Sequence, residues 1–197
     1  MNELSLNSFL SSNLNVAEKE ILSIKESCFI REYEKDQFLL RNNELCQHTF
    51  FVEKGLLRQY SIDPKGKEHV LQFVPESWFV TDYETVYFNE PSRFFIQALE
   101  DTRVAFIDDA VIKKLEANFP VFRDFNNRLL HTQIIILQNR VTMLLSQSAE
   151  ERYLQFVKTY PDILLRVPQT MIAAFLGITP ESLSRVRKEL AKKNFNH

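Results

Sequence analysis

The sequence predicts an α+β protein, an antiparallel β-sandwich or barrel followed by helices, and three observations carry that expectation. From about Phe29 to Ile107 the chain is short runs rich in Phe, Val, Ile and Tyr, broken every eight to twelve residues, the spacing of a compact antiparallel sandwich or barrel. From Asp109 a helical period takes over, and residues 120–146 carry no glycine or further proline. The last fifty residues hold two helix signatures separated by a glycine turn.

In order along the chain, Asn15-Val-Ala-Glu18 is spaced as a helix start, an N-cap with a glutamate three residues on. The helix is expected to run to about Glu26, turning Ile21, Leu22 and Ile24 or Ile30 inward. Candidate strands are Phe38–Leu40, Thr49–Glu53, Gly55–Ser61, Glu68–Phe73, Phe94–Ala98 and Thr102–Asp108. The clearest hairpin joins Leu57–Ile62 to Lys67–Val74 through Asp63-Pro64-Lys65-Gly66, with proline at the second turn position and glycine to supply a positive φ.

Asp109 to Glu116 forms a short helix that Pro120 ends or restarts. In the long helix that follows, Leu130, Ile134, Leu137, Val141 and Leu144 recur at coiled-coil spacing. Two readings fit that stripe: a core helix covering the β-domain, or a helix that meets a second copy of the chain. Ile134-Ile135-Ile136-Leu137, widened by Leu145, offers more apolar arc than one contact uses, which favours the homodimer. Ser148-Ala-Glu-Glu151 is a capping box for a new helix to about Thr159, ended by Tyr160-Pro161. The domain boundary therefore falls near Leu145 to Ser148.

Composition narrows the function. At 45% hydrophobic and 25% charged, with a net charge of −2, the chain suits a soluble globular protein with a sizeable core and argues against a polybasic, histone-like binder. The charge is uneven: residues 147–197 carry eight basic and five acidic side chains, leaving the excess acid to residues 1–146. The last quarter is the part suited to a polyanion. Cys28 and Cys46 are too few for a disulfide scaffold and lack metal-site spacing. No signal peptide or membrane span is expected, so the default is a cytoplasmic protein. No P-loop, nucleophile elbow or metal-ligand cluster points to an enzyme, and His48, His69 and His131 have no spacing that would ligate haem.

The most specific segment runs from Gln169 to Leu190 and is arranged as a helix-turn-helix. Ala173 is small where two helices cross, Gly177 stands at the turn, and Ile172, Leu176, Ile178, Leu183 and Val186 form the wedge between them. Thr179 is an N-cap and Pro180 the first residue of the second helix. Glu181, Ser182, Ser184, Arg185 and Lys188 then face outward near a helix N-terminus, where such helices meet base edges and phosphates. Lys192 and Lys193 suit a helix end favoured by the macrodipole at least as well as phosphate contact. After Leu190 the sequence leaves no room for a full β-hairpin wing.

With Glu53-Lys54-Gly55, the Asp63–Lys67 hairpin, the long helix and the terminal helix pair in this order, the chain resembles the Crp/Fnr transcription regulators over nearly its whole length. The resemblance implies a cupin-like β-roll (a double-stranded β-helix) over 1–118 that takes a small effector, a dimerisation helix over 119–146 and a helix-turn-helix DNA-binding domain over 147–197. Carried over by motif, Glu181 and Arg185 occupy base-reading positions, Gln169, Thr170 and Thr179 phosphate-contact positions, and Ser182 lies between the two sets. Pro180 stands where cyclic-AMP-responsive members have an arginine. The implied partners are double-stranded DNA carrying an inverted repeat, a second copy of the chain, an unknown small-molecule effector, and RNA polymerase as a candidate.

The effector segments depart from that family. Cyclic-nucleotide binders carry Gly-Glu-Leu and, about ten residues on, Arg-Ser for the cyclic phosphate. Here the first segment is Glu76-Ser77-Trp78, and the second, Ser92-Arg93-Phe94, places Ser92 in the arginine's position. Arg93 is one residue late, which on a strand means the opposite face. Cyclic AMP binding is therefore not expected, and the cysteine-rich iron–sulfur motif of oxygen-sensing members is absent, so no cofactor or metal is expected. The competing reading is a nucleotide-sensing or protein-interaction module whose terminal hairpin docks on protein. A protein-docking helix would usually show an apolar outer face, which this one lacks.

Overall fold

The computed structural model describes residues 5–17, 19–21 and 28–195, the side chains of 194 and 195 aside. Helix α1 (Leu6–Leu14) is closed at its start by a capping box between Ser5 and Ser8 and buries Leu6, Leu10 and Leu14, one face at i, i+4, i+8. Asn15 does not begin a helix. It is the left-handed C-cap of α1, with φ 54° and its N–H on Ser11 O, a role asparagine tolerates better than most residues. Of the helix expected to run to about Glu26, residues 19–21 are helical, with Ile21 buried as expected, and residues 18 and 22–26 lie outside the described residues.

The strands are β1 (Phe29–Tyr33), β2 (Phe38–Leu40), β3 (Thr49–Lys54), β4 (Leu57–Ile62), β5 (Glu68–Val74), β6 (Phe79–Val80), β7 (Phe95–Ala98) and β8 (Thr102–Ile107). They form two four-stranded sheets, in the orders β1-β8-β3-β6 and β2-β7-β4-β5. Period-two alternation builds two layers of core. Tyr33, Phe50, Val52 and Val104 of the first sheet pack with Leu40, Leu57, Val74, Ile96 and Ala98 of the second. Phe51, Ala105 and Ile107 belong to a separate cluster with α1, where Phe9 meets Phe51 at 5.0 Å between ring centroids.

The turns are built as the sequence requires. Gly66 has φ 80°, and its N–H bonds Asp63 O at 2.9 Å. The Asp63 carboxylate accepts from the amides of Lys65 (2.9 Å) and Lys67 (3.0 Å). His69 and those amides hold this carboxyl below its ordinary range. Gly55 sits at φ 95°, and a Cβ there would stand 2.5 Å from Thr102 Oγ1 and 2.7 Å from Asp101 O, so a side chain is excluded by both space and backbone. Buried Glu53 anchors the N-terminus of α1, accepting from Leu6 N at 2.9 Å, and pairs with Arg103 at 3.2 Å.

Six helices follow α1 in the described chain after the first strands, together with one short helix within the roll. Helix α2 (Tyr83–Phe88) lies between β6 and β7, and after β8 come α3 (Asp109–Asn118), α4 (Val121–Ser146), α5 (Ala149–Thr159), α6 (Ile163–Arg166), α7 (Gln169–Leu176) and α8 (Pro180–Phe195), the last closing the order. Pro120 immediately precedes α4, and Ser148 with Glu151 makes the expected capping box on α5. The chain divides into two compact units. One runs to Ile62 and resumes over Leu71–Leu130; the other joins Asp63–Val70 to the chain from His131 onward. The fold class is α+β, with antiparallel sheets and C-terminal helices. Among the described residues, no helix is long and apolar enough to cross a membrane.

Candidate nucleic-acid interface

In the second unit, α7 and α8 close on Ile172, Ala173, Leu176, Leu183 and Val186, all buried. Ala173 is fully covered, as a close helix crossing demands. Gly177 takes φ 68° as the left-handed cap of α7, and a Cβ on it would press to 3.3 Å from Leu144 Cδ2. Ile178 is half-buried and Leu190 likewise. Thr179 caps α8: its hydroxyl oxygen accepts from Ser182 N at 3.2 Å and donates to Ser182 Oγ at 3.2 Å.

With Leu183 and Val186 committed inward, helical geometry turns Glu181, Ser184, Arg185 and Lys188 to solvent, and Ser182 is half-buried beside its cap. Gln169, Thr170 and Thr179 are exposed as well. The first-turn backbone and the Thr179 hydroxyl hold the Glu181 carboxyl below its ordinary range, so it stands ionised as an acceptor at neutral pH. Lys193 is engaged with Glu150 of α5 at 2.7 Å. Two arginines that sequence reasoning did not single out, Arg140 and Arg152, bond the last carbonyls of α7.

In the first unit, the second of the two segments expected to contact an effector is tied to a buried carboxylate. Ser92 is fully buried and donates to Asp82 Oδ2 at 2.5 Å. Asp82 is itself buried and caps α2 through Glu84 N. Arg93 points away, its side chain exposed and paired with Glu84. Glu76 accepts from Gly55 N at 3.0 Å, Ser77 is left-handed at φ 67°, and Trp78 packs against the roll interior. Phe94 is half-buried, its N–H on Ser92 Oγ. A cleft of about 1360 Å³ opens elsewhere, lined by Arg31, Tyr33, Glu53, Asp101 and Arg103 among others; of the six expected residues, Glu76 alone lines it. Burial pushes the Cys28 thiol up to about 11 and raises that of Cys46, so both are protonated at neutral pH and poor nucleophiles. His48 packs edge-on to Phe106, His69 meets Asp63, and His131 is exposed. No cluster of metal-ligating side chains occurs among the described residues.

Along α4, Leu130, Ile134, Leu137, Val141 and Leu144 are between 36% and 57% exposed, and Ile135 and Leu145 are exposed beside them. Met143 is the buried apolar residue of the helix's second half.

The first unit is an antiparallel roll and the second ends in a helix-turn-helix. The cyclic nucleotide-binding domain family matches residues 30–118. The anaerobic regulatory protein of Haemophilus influenzae is 26% identical over 164 residues, covering 78% of this chain and 63% of that protein. The chain thus spans under two thirds of that relative's length. Among solved structures, FixK2 from Bradyrhizobium japonicum superposes with a TM-score of 0.72 at 18% identity, covering 85% of this chain and 86% of that one. A CRP/FNR-family transcriptional regulator from Thermus thermophilus does so at 0.65 and 18%, covering 84% and 87%. In sequence and in fold the chain is similar to these Crp/Fnr-type proteins.

Proposed function

We propose that this protein is a homodimeric, sequence-specific DNA-binding transcription regulator in which α4 forms the dimer seam and α8 enters the major groove. The observation that carries the reading is the outer face of α8. Glu181, Ser184, Arg185 and Lys188 stand exposed within its first turns while its apolar residues are spent against α7. An acceptor, a hydroxyl and two cations at a helix N-terminus suit base edges and phosphates. Gln169 and Thr170, in the first turn of α7, supply phosphate contacts beside them. The domain assignment follows: an effector-type roll through residue 118, a dimerisation helix over 119–146 and a DNA-binding domain from 147. The exposed stripe on α4 supports the dimer, because single chains rarely leave so continuous an apolar face to water. Selection of bound duplexes from a random pool tests the proposal. The expected product is an inverted repeat with half-sites about one helical turn apart, and a pool with no enriched sequence would overturn it.

The roll does not take a cyclic nucleotide. A buried carboxylate, Asp82, accepts the Ser92 hydroxyl where the family's cyclic-nucleotide binders place arginine, and Arg93 is turned outward onto Glu84. A phosphate there would meet the like charge of the Asp82 carboxylate, while Arg93 is committed to Glu84. Titration with millimolar cyclic AMP or cyclic GMP is expected to give neither calorimetric heat nor a thermal shift. A dissociation constant in the low micromolar range would contradict this account of the pocket.

A further inference from the structure

Helix α7 ends against two arginines, and among the described residues neither is paired with a carboxylate. Arg152, on α5, donates from Nη1 to Leu176 O at 3.0 Å, from Nη2 to Leu144 O at 2.9 Å and from Nε to Gln147 O at 3.0 Å. Arg140, on α4, donates from Nη2 to Phe175 O at 2.7 Å and to Val70 O at 2.9 Å, its guanidinium 3.9 Å over the Phe175 ring. Phe175 and Leu176 offer two of the carbonyls that a helix C-terminus leaves without intrahelical partners, and Leu144 lies in the last turn of α4. Such ends carry the negative pole of the helix, so a cation is the fitting partner. Burial draws the Arg140 guanidinium down to about 10, and neighbouring Arg152 adds to that. Arg140 is nonetheless charged at neutral pH, and its planar fork spans acceptors that a lysine would reach one at a time.

The two arginines hold different things. Arg152 grips only helix ends. Arg140 grips the end of α7 and the hairpin segment Asp63–Val70, which forms one compact unit with the chain from His131 onward. Only Gly177, Ile178 and Thr179 separate α7 from α8, so fixing the Phe175 and Leu176 carbonyls fixes the turn from which Glu181 and Arg185 project.

We infer that Arg140 and Arg152 are positioning residues for the DNA-reading helix, and that Arg140 makes the Asp63–Val70 hairpin and the helix-turn-helix move as one body. The inference rests on the DNA-binding reading for its consequence but not for its geometry, and the experiment separates the two. Amide hydrogen exchange is measured on the full chain as wild type, Arg140→Met, Arg140→Lys and Arg152→Met. Arg140→Met is expected to raise exchange in residues 63–70 and 169–178 together, and Arg152→Met to raise it in 169–178 alone. Arg140→Lys, which keeps the charge and the fold, is expected to leave at most one of the two segments protected. Wild-type protection of 63–70 in both Arg140 variants would overturn the coupling. On the duplex that the wild type selects, Arg140→Met is expected to bind at least tenfold more weakly while affinity for random duplex is unchanged. An unchanged ratio of specific to random binding would overturn the positioning role. If the wild type selects no duplex, the DNA-binding reading fails and the exchange result still decides the coupling.

Discussion

Leu137→Glu is expected to convert the proposed dimer to a monomer at micromolar concentration, with loss of tight DNA binding. Leu137 stands at the centre of the α4 stripe and is 57% exposed in the single chain, flanked by Ile134 and Val141 at 51% and 55%. Covering the exposed half of one such side chain is worth roughly 1 kcal/mol, and a two-fold seam covers each position twice. The substitution forfeits that term and places two like charges across the symmetry axis. Burying an unpaired carboxylate costs several kcal/mol more, so the dimer dissociation constant should rise by at least two orders of magnitude. Helicity should be retained, because glutamate is as good a helix former as leucine. Light scattering or sedimentation checks the result. A wild type that is monomeric at micromolar concentration, or a variant that stays dimeric, would show that this face has another use.

Under the proposed reading, Arg185→Ala is expected to weaken binding to the selected duplex by ~1–3 kcal/mol and to relax preference at one base position per half-site, the value of one bidentate pair to a guanine. Arg185 lies one turn beyond Glu181 on the exposed face of α8. The ionised Glu181 is suited to accept from a cytosine amino group, so the two side chains together define a short stretch of sequence. Lys188→Ala behaves differently: it weakens all duplexes about equally and flattens the salt dependence, as loss of a phosphate contact does. Binding isotherms on the selected site and its single-base variants, at two salt concentrations, separate the two behaviours. Unchanged base preference in Arg185→Ala would remove that residue from the recognition surface and shift the assignment to Ser182 and Ser184.

The parts of the fold that could be read from sequence are those whose signals are local. The Asp63–Gly66 turn, the Ser148 capping box, Gly177 with Thr179 and Pro180, and the alternation in β3 and β8 each specify their own conformation within a few residues. Helix α1 escaped because Leu-Asn-Ser-Phe-Leu-Ser-Ser-Asn-Leu is dense in residues that disfavour helix interiors. Its Leu6, Leu10 and Leu14 spacing was the available signal, and buried Glu53, 47 residues away, supplies the anchor. The short β6 is fixed by pairing to β3, which no periodicity of two residues announces.

The candidate sites divide in the same way. The outer face of α8 follows from helical spacing and one turn, and was legible. The Asp82–Ser92 contact joins residues ten apart across α2, and Arg140 bonds carbonyls 70 and 35 residues distant. Such pairings arise only when the elements are assembled. A hint was nonetheless present: by helical spacing Arg140 falls on the same face of α4 as Ile136 and the buried Met143, a placement that calls for acceptors nearby.

Sedimentation of the protein with its selected duplex, read as chains per duplex, tests the central claim most directly. Two chains per inverted repeat, falling to no stable complex with Leu137→Glu and to a weakened complex of the same stoichiometry with Arg185→Ala, is the expected result. A single chain bound per duplex, or a complex indifferent to both substitutions, would contradict a two-fold regulator that reads DNA through α8.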